Sequence, residues 1–252
     1  MIRIWALADV HLAFGDPSKS MEAFGPLWER YAERIESNWK ECIGQEDLVL
    51  IAGDISWAMK PEDARVDLLW LDALPGKKVI LRGNHDYWWP SSKAKLHRLL
   101  PPSIVAIHND AFLWNGVAVG GSRLWDSSEY RFDTIVHFQE NPRARSHERD
   151  EEESEKIFVR ELGRLQLSLE QMHPEAHTRI AMTHYPPIGL DLVASRASAL
   201  LEKFNIDLCI FGHLHNIKQG PPLFGKARGV NYILTSADYL EFRPMQINVR
   251  CN

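Results

Sequence analysis

An α/β fold with mixed sheets is what this sequence predicts, and two observations predict it. Short apolar runs alternate with helix-like stretches through the first half, and closely spaced short runs follow in the second. A single domain is expected, because 252 residues, 45% of them hydrophobic, suffice for one substantial core. Residues 2–8 form the first buried strand. From 21 to 42, Phe24, Leu27, Trp28, Tyr31, Ile35 and Trp39 recur mostly at spacings of three and four, which predicts one helical face. Residues 48–52 predict a second strand. Pro61 suits a helix start, where its missing N–H would be unpaired anyway, and Ala64, Leu68 and Leu71 continue that face toward Pro75-Gly76. A third strand over 78–81 leads to a helix over 91–100, which Pro101-Pro102 stops. Runs at 104–107, 111–114 and 117–119, and later at 178–182, 207–211, 232–234 and 245–249, read as sheet strands.

The stretch from about 122 to 173 departs from this rhythm. Its middle, 141–156, is almost wholly polar, and two readings stand beside each other: a solvated helix, or a cap over an active site. In the second reading Arg123, Arg131, Arg143 or Arg145 reaches a substrate phosphate through bidentate contacts. Residues 157–172 carry Leu162, Leu165, Leu169 and Met172 at helical spacing and are expected to pack on the sheet.

The net charge of −5 argues against a general nucleic-acid or anionic-membrane surface. Cys42, Cys209 and Cys251 form no C-x-x-C pair, the usage of a reducing compartment, so a cytoplasmic location is expected. The apolar run at the start is too short for a signal peptide or a membrane span.

Ligand-like residues follow the apolar runs. Asp9 and His11 are two apart, so in an extended segment both side chains leave the same side. Asp54 follows Gly53, where a small residue lets the loop turn sharply. Gly83-Asn84-His85-Asp86 follows the third strand, His184 a later one, and Gly212-His213-Leu214-His215 the run ending at Phe211. Each cluster alone is a weak signal. Together they place two Asp, one Asn and several His where open α/β sheets bind ligands, a donor mixture suited to two divalent cations. Six other histidines, His108 among them, lack such context and read as structural or surface residues.

The ordered set D-x-H, G-D, G-N-H-D, H and G-H-x-H resembles the calcineurin-like metallophosphoesterase superfamily, from Asp9 to His215. The resemblance implies a four-layer α/β/β/α sandwich of two mixed sheets. It also implies one metal on Asp9, His11 and His215, the other on Asn84, His184 and His213, and Asp54 bridging them. Such ions, roughly 3.5 to 4 Å apart, clamp a phosphate and activate a hydroxide. Mn, Fe or Zn all suit the donors. His85 resembles the histidine that protonates the leaving group, with Asp86 orienting it; a turn that merely holds Asn84 in place is the alternative. Trp57, Trp88 and Tyr185, beside the ligands, either pack the loops or offer a stacking surface to a flat leaving group.

Within the superfamily, Ser/Thr protein phosphatases carry an arginine-bearing extension after G-D and a glutamate ending the third motif. Here Gly53-Asp54 continues Ile55-Ser56-Trp57, and the third motif ends at Asp86. The expectation is therefore a phosphodiesterase or small-molecule phosphohydrolase that uses metal-bound hydroxide directly, with no covalent phosphoenzyme. Its partner is a small phosphorylated substrate. A nuclease, or a noncatalytic scaffold that keeps the fold and binds metal, is the alternative. Oligomeric state and substrate stay open.

Overall fold

The computed structural model describes residues 3–137, 150–218 and 223–248. The first half alternates as β1 (Ile4–Ala6), α1 (Tyr31–Cys42), β2 (Leu48–Ile51), α2 (Pro61–Ala73), β3 (Lys77–Ile80), α3 (Lys93–Leu99) and β4 (Ile104–Ala106). A hairpin follows, β5 (Ala111–Trp114) and β6 (Val117–Ser122), and then α4 (Glu151–Glu170), β7 (Thr178–Thr183), α5 (Arg196–Lys203) and β8 (Leu208–Phe211). The chain closes with β9 (Gly225–Ala227), β10 (Val230–Leu234) and β11 (Met245–Ile247).

Among the described residues these strands form two mixed sheets, ordered β11-β1-β2-β3-β4 and β5-β6-β7-β8-β10-β9. In the first, β1 to β4 run parallel and β11 pairs antiparallel with β1. In the second, β6, β7, β8 and β10 run parallel between antiparallel edges β5 and β9. Central parallel strands are covered on both faces, which is why they read as unbroken apolar runs. Leu48 and Leu50 face the second sheet, meeting Val119, Ile180, Met182 and Ile210 in the core between the sheets. Val49 and Ile51, pointing the other way, pack with Ile35 and Trp39 of α1 and Leu68 and Leu71 of α2. On the far side Phe158, Leu165 and Leu169 of α4 and Leu201 of α5 cover Cys209 and Phe211. The architecture is the four-layer α/β/β/α sandwich.

One local expectation needs correction. The helical face over 21–42 is broken: Gly25 takes φ 109°, Pro26 follows it, and Arg30 takes φ 50°, so the α-helix starts only at Tyr31. Before it lie two single turns, and Leu27 is exposed while Trp28 is buried. The acidic residues Glu151, Glu152 and Glu153 form the first turn of α4, capped by the Asp150 side chain, where their charge complements the helix dipole. The rest of the polar stretch, with Arg143 and Arg145, lies outside the described residues. Finally, β9 was not anticipated from its short sequence.

Candidate metal centre

The parallel strands of both sheets end at one edge, and the predicted donors lie just beyond those ends. Asp9 and His11 follow β1, Asp54 follows β2, Asn84 and His85 follow β3, His184 follows β7, and His213 and His215 follow β8. The local backbone is unusual there: Asp9, His11, Asp54 and His213 take φ of 57°, 46°, 51° and 70°. Non-glycine residues enter this left-handed region at a cost, so the surrounding fold must hold them. Part of that hold is visible. Asp9 N–H donates to the Gly53 carbonyl (3.0 Å), His11 N–H to the Asp54 carbonyl (3.0 Å), and Tyr31 Oη of α1 to the His11 carbonyl (2.7 Å). Gly83 and Gly212 matter for space, because a Cβ on the first would strike Asp54 and on the second Asp9.

Side-chain contacts fix the imidazole orientations. His184 Nδ1 lies 3.0 Å from the Ala52 carbonyl, an acceptor, so Nδ1 carries the proton and Nε2 presents a lone pair. That lone pair faces Asn84 Oδ1 at 2.6 Å and Asp54 Oδ2 at 3.4 Å. His213 Nδ1 approaches the same Asn84 oxygen at 3.1 Å. On the other side, His215 Nδ1 meets Asp238 Oδ1 at 2.8 Å, which turns Nε2 toward Asp9 Oδ1 (3.7 Å) and His11 Nε2 (3.3 Å). His11 Nε2 is also 3.7 Å from Asp54 Oδ2. Two donor groups result, Asp9–His11–His215 and Asp9–Asp54–His184, each within 4.8 Å.

The electrostatics agree with a cation site. Burial pushes the Asp9 carboxyl up to about 8, and it raises Asp54 too. Burial likewise pulls His184 down to about 3 and drives His11 and His213 well below the ordinary imidazole value. Neutral imidazoles are the form that binds metal, and buried carboxylates are ionised most readily beside a cation. For His215 burial also acts downward, but Asp238, Asp9 and Asp54 outweigh it and lift the ring to about 9.

Asp238 is the residue that sequence reasoning missed. It follows β10 by four positions, and its second oxygen accepts from Asn216 N–H at 2.8 Å, so it holds both His215 and the loop after it. An acid behind a metal-binding histidine is a recurring arrangement, but no spacing in the chain points to it.

Asp86 is a correction. Its carboxylate accepts from Ile55 N–H (2.9 Å), Ser56 N–H (3.1 Å), Gly83 N–H (2.7 Å) and Trp88 Nε1 (2.9 Å), so it ties the β2 and β3 loops together instead of orienting His85. His85 is held through its backbone, which donates to Asp54 Oδ1 at 2.8 Å, and its Nδ1 has no hydrogen-bond partner among the described residues. The Trp57 ring is tilted against it at 4.1 Å and stacks on His11 at 5.2 Å, so Trp57 borders the site. Trp88 does not: it is 1% exposed, and Asp86 and the core enclose it. Tyr185 lies against His213 at 3.9 Å. Arg123 is paired with Glu161 at 3.3 Å and covers Trp125, and its carbonyl accepts from the His184 and Tyr185 N–H groups. Arg131 lines a cavity of about 390 Å³, with Trp125, Tyr130 and Phe132, that reaches His213 and Tyr185.

A two-sheet sandwich with carboxylate, amide and imidazole donors on one edge defines a metallophosphoesterase. The chain belongs to the calcineurin-like phosphoesterase family, whose sequence profile matches residues 2–216. A curated relative, Gene 66 protein of Mycobacterium phage D29, is 33% identical over 87 residues, which are 34% of this chain and 41% of that protein's length. Among solved structures, phosphopantetheinyl hydrolase (PptH) from Mycobacterium tuberculosis shares the fold, with a TM-score of 0.53 and 16% identity over 97% of this chain and 95% of its own. The protein of unknown function AQ665 from Aquifex aeolicus aligns over 98% of this chain and 96% of its own, at 16% identity and a TM-score of 0.48.

Proposed function

We propose that this chain hydrolyses a phosphomonoester or phosphodiester of a small molecule at a pair of divalent cations. Asp9, His11 and His215 would hold one, Asn84, His184 and His213 the other, and Asp54 would lie between them. The observation that carries this reading is the confrontation at His184, where an imidazole lone pair points at amide and carboxylate oxygens. Acceptors that face one another are stabilised by a cation among them. When bound, such a pair supplies Lewis acidity and lowers the pKa of water. The chain's own groups do the rest. The His213 N–H, 3.0 and 3.1 Å from the two Asp9 oxygens, and the His85 N–H on Asp54 preset the carboxylates.

His85 stands beside these donors with its ring tilted against Trp57, and burial lowers its pKa, so the neutral ring can give a hydrogen bond to the departing or phosphoryl oxygen. Arg131, Trp125, Tyr130 and Phe132 line the adjoining cavity, which suits an organic leaving group, and the flanks of the stretch 122–173 would thus cap the site. Among the described residues no helix is long and apolar enough to cross a membrane. Among the described residues Cys42 and Cys209 are free thiols.

The test is chelation followed by reconstitution with Mn, Fe or Zn, assayed on p-nitrophenyl phosphate, its bis ester, and cyclic and dinucleoside nucleotides. Chelator-sensitive turnover is expected. No turnover with any metal or ester would return the protein to a noncatalytic scaffold. His85→Ala should keep its metal while losing most of kcat for a poor leaving group, and an unchanged kcat there would remove the leaving-group role of His85.

A further inference from the structure

A second, smaller cavity of about 120 Å³ opens where β3, β4 and β6 end, lined by Arg82, Arg123, Arg164, Glu161, His108 and Trp89 among others. That volume is the liquid share of about four waters, room for a phosphoryl or carboxylate group and little more. Its charges do not balance. Three guanidiniums meet one carboxylate, Glu161, whose Oε1 already accepts from Arg164 at 2.7 Å and from Arg123 at 3.3 Å. The Nε atoms of Arg82 and of Arg123 are both buried, and neither has a hydrogen-bond partner among the described residues.

An ion-pair network that anchors α4 would account for Glu161 and its two partners. It leaves the two Nε groups unpaired, Arg82 having only the through-space attraction of Asp86 and Glu161, and buried donors left unmade are costly. His108 adds a further donor. Trp89 Nε1 can only donate, and it reaches His108 Nδ1 at 3.3 Å, so in the neutral ring the proton sits on Nε2. The pocket also shares backbone with the metal loops: Arg82 directly precedes Gly83-Asn84, and the Arg123 carbonyl accepts from His184 N–H at 3.1 Å.

We propose that Arg82, Arg123 and Arg164 form a binding pocket for an oxyanion beside the metal edge. Planar guanidinium groups match phosphate and carboxylate oxygens in pairs, which a point charge does not. The oxyanion is either a second acidic group of the substrate whose ester lies at the metals or a free inorganic anion. The first source rests on the phosphohydrolase reading; the second does not.

The Mn-loaded protein is compared on alkyl monophosphates and on alkanediol bisphosphates of increasing chain length, as wild type, Arg82→Gln and Arg164→Gln. Arg164 is 41% exposed, so its variant keeps the test open if Arg82→Gln fails to fold. For a substrate-borne anion, the ratio of kcat/KM for bisphosphate to that for monophosphate is at least about tenfold at one chain length and falls toward one in both variants. Damage to the metal centre would lower both substrates together and leave the ratio intact. For a free anion, the ratio stays near one, but sulfate raises the Tm of the wild type more than that of either variant. A ratio of one together with equal sulfate effects overturns the pocket. If no ester is turned over in any metal-loaded form, the phosphohydrolase reading fails, and the sulfate comparison alone decides the pocket.

Discussion

Replacing Asp238 with Asn should weaken metal binding with almost no change in shape. Asp238 is buried, with one oxygen 2.8 Å from His215 Nδ1 and the other 2.8 Å from Asn216 N–H. Burial opposes its ionisation, but His215 and the backbone donors hold the carboxyl below its ordinary value, so the group is an anion. An amide offers one oxygen where two donors need one each, so either His215 or Asn216 loses its partner. That mismatch should cost about 1–3 kcal/mol of stability. Releasing the His215 ring should cost about 10–100-fold in affinity for one metal, or ~1.4–2.8 kcal/mol. Calorimetric titration of metal-stripped protein with Mn, beside urea unfolding of the same samples, separates the two effects. One binding step should weaken while the other holds. An unfolding midpoint that falls while both metal affinities stay within about threefold of wild type would refute the orienting role.

Gly83→Ala brings a Cβ to 2.7 Å from Asp54 Cγ, and the displaced carboxylate should cost about 100-fold or more in turnover by a protein that still folds; activity within tenfold would contradict that. Trp88→Ala should destabilise by about 3–5 kcal/mol through a core cavity, read by chemical unfolding, with no selective effect on leaving-group discrimination. Lys78 gives a pH signature. Its buried ammonium donates to the Leu74 carbonyl and to Ser103 Oγ, while burial, the largest effect, lowers its value to about 8. The unfolded chain then binds more protons between about 8 and ~10.4, so this group's penalty is full below pH 8 and fades as pH rises. The unfolding free energy of wild type minus that of Lys78→Met should rise by about 2–3 kcal/mol from pH 7.5 to 10.5, and a flat difference would exclude the linkage.

The strands and most helices were legible because central parallel strands are buried on both faces and leave unbroken apolar runs such as Leu48–Ile51. Where the sequence misled, a local backbone choice was responsible. Phe24, Leu27 and Trp28 keep helical spacing, yet Gly25-Pro26 divides them, and Trp28 reaches the core from a separate turn. The donors were readable from their positions after strands; their partners were not. Asp238 lies 23 residues beyond His215 and reaches it only through the β8–β10 pairing. Asp86 adjoins His85 in sequence, but its side chain turns inward to four other donors, so adjacency suggested a contact the fold does not make.

The backbone is left-handed at Asp9, His11, Asp54 and His213. Glycine would relax each backbone, worth roughly 1 kcal/mol, but at Asp9 and Asp54 it would also strand the His213 and His85 N–H groups that the carboxylates accept from, a loss of about 1–3 kcal/mol each. The donors are thus held in place by the same hydrogen bonds that hold the loops, and stability and metal chemistry are coupled at this edge.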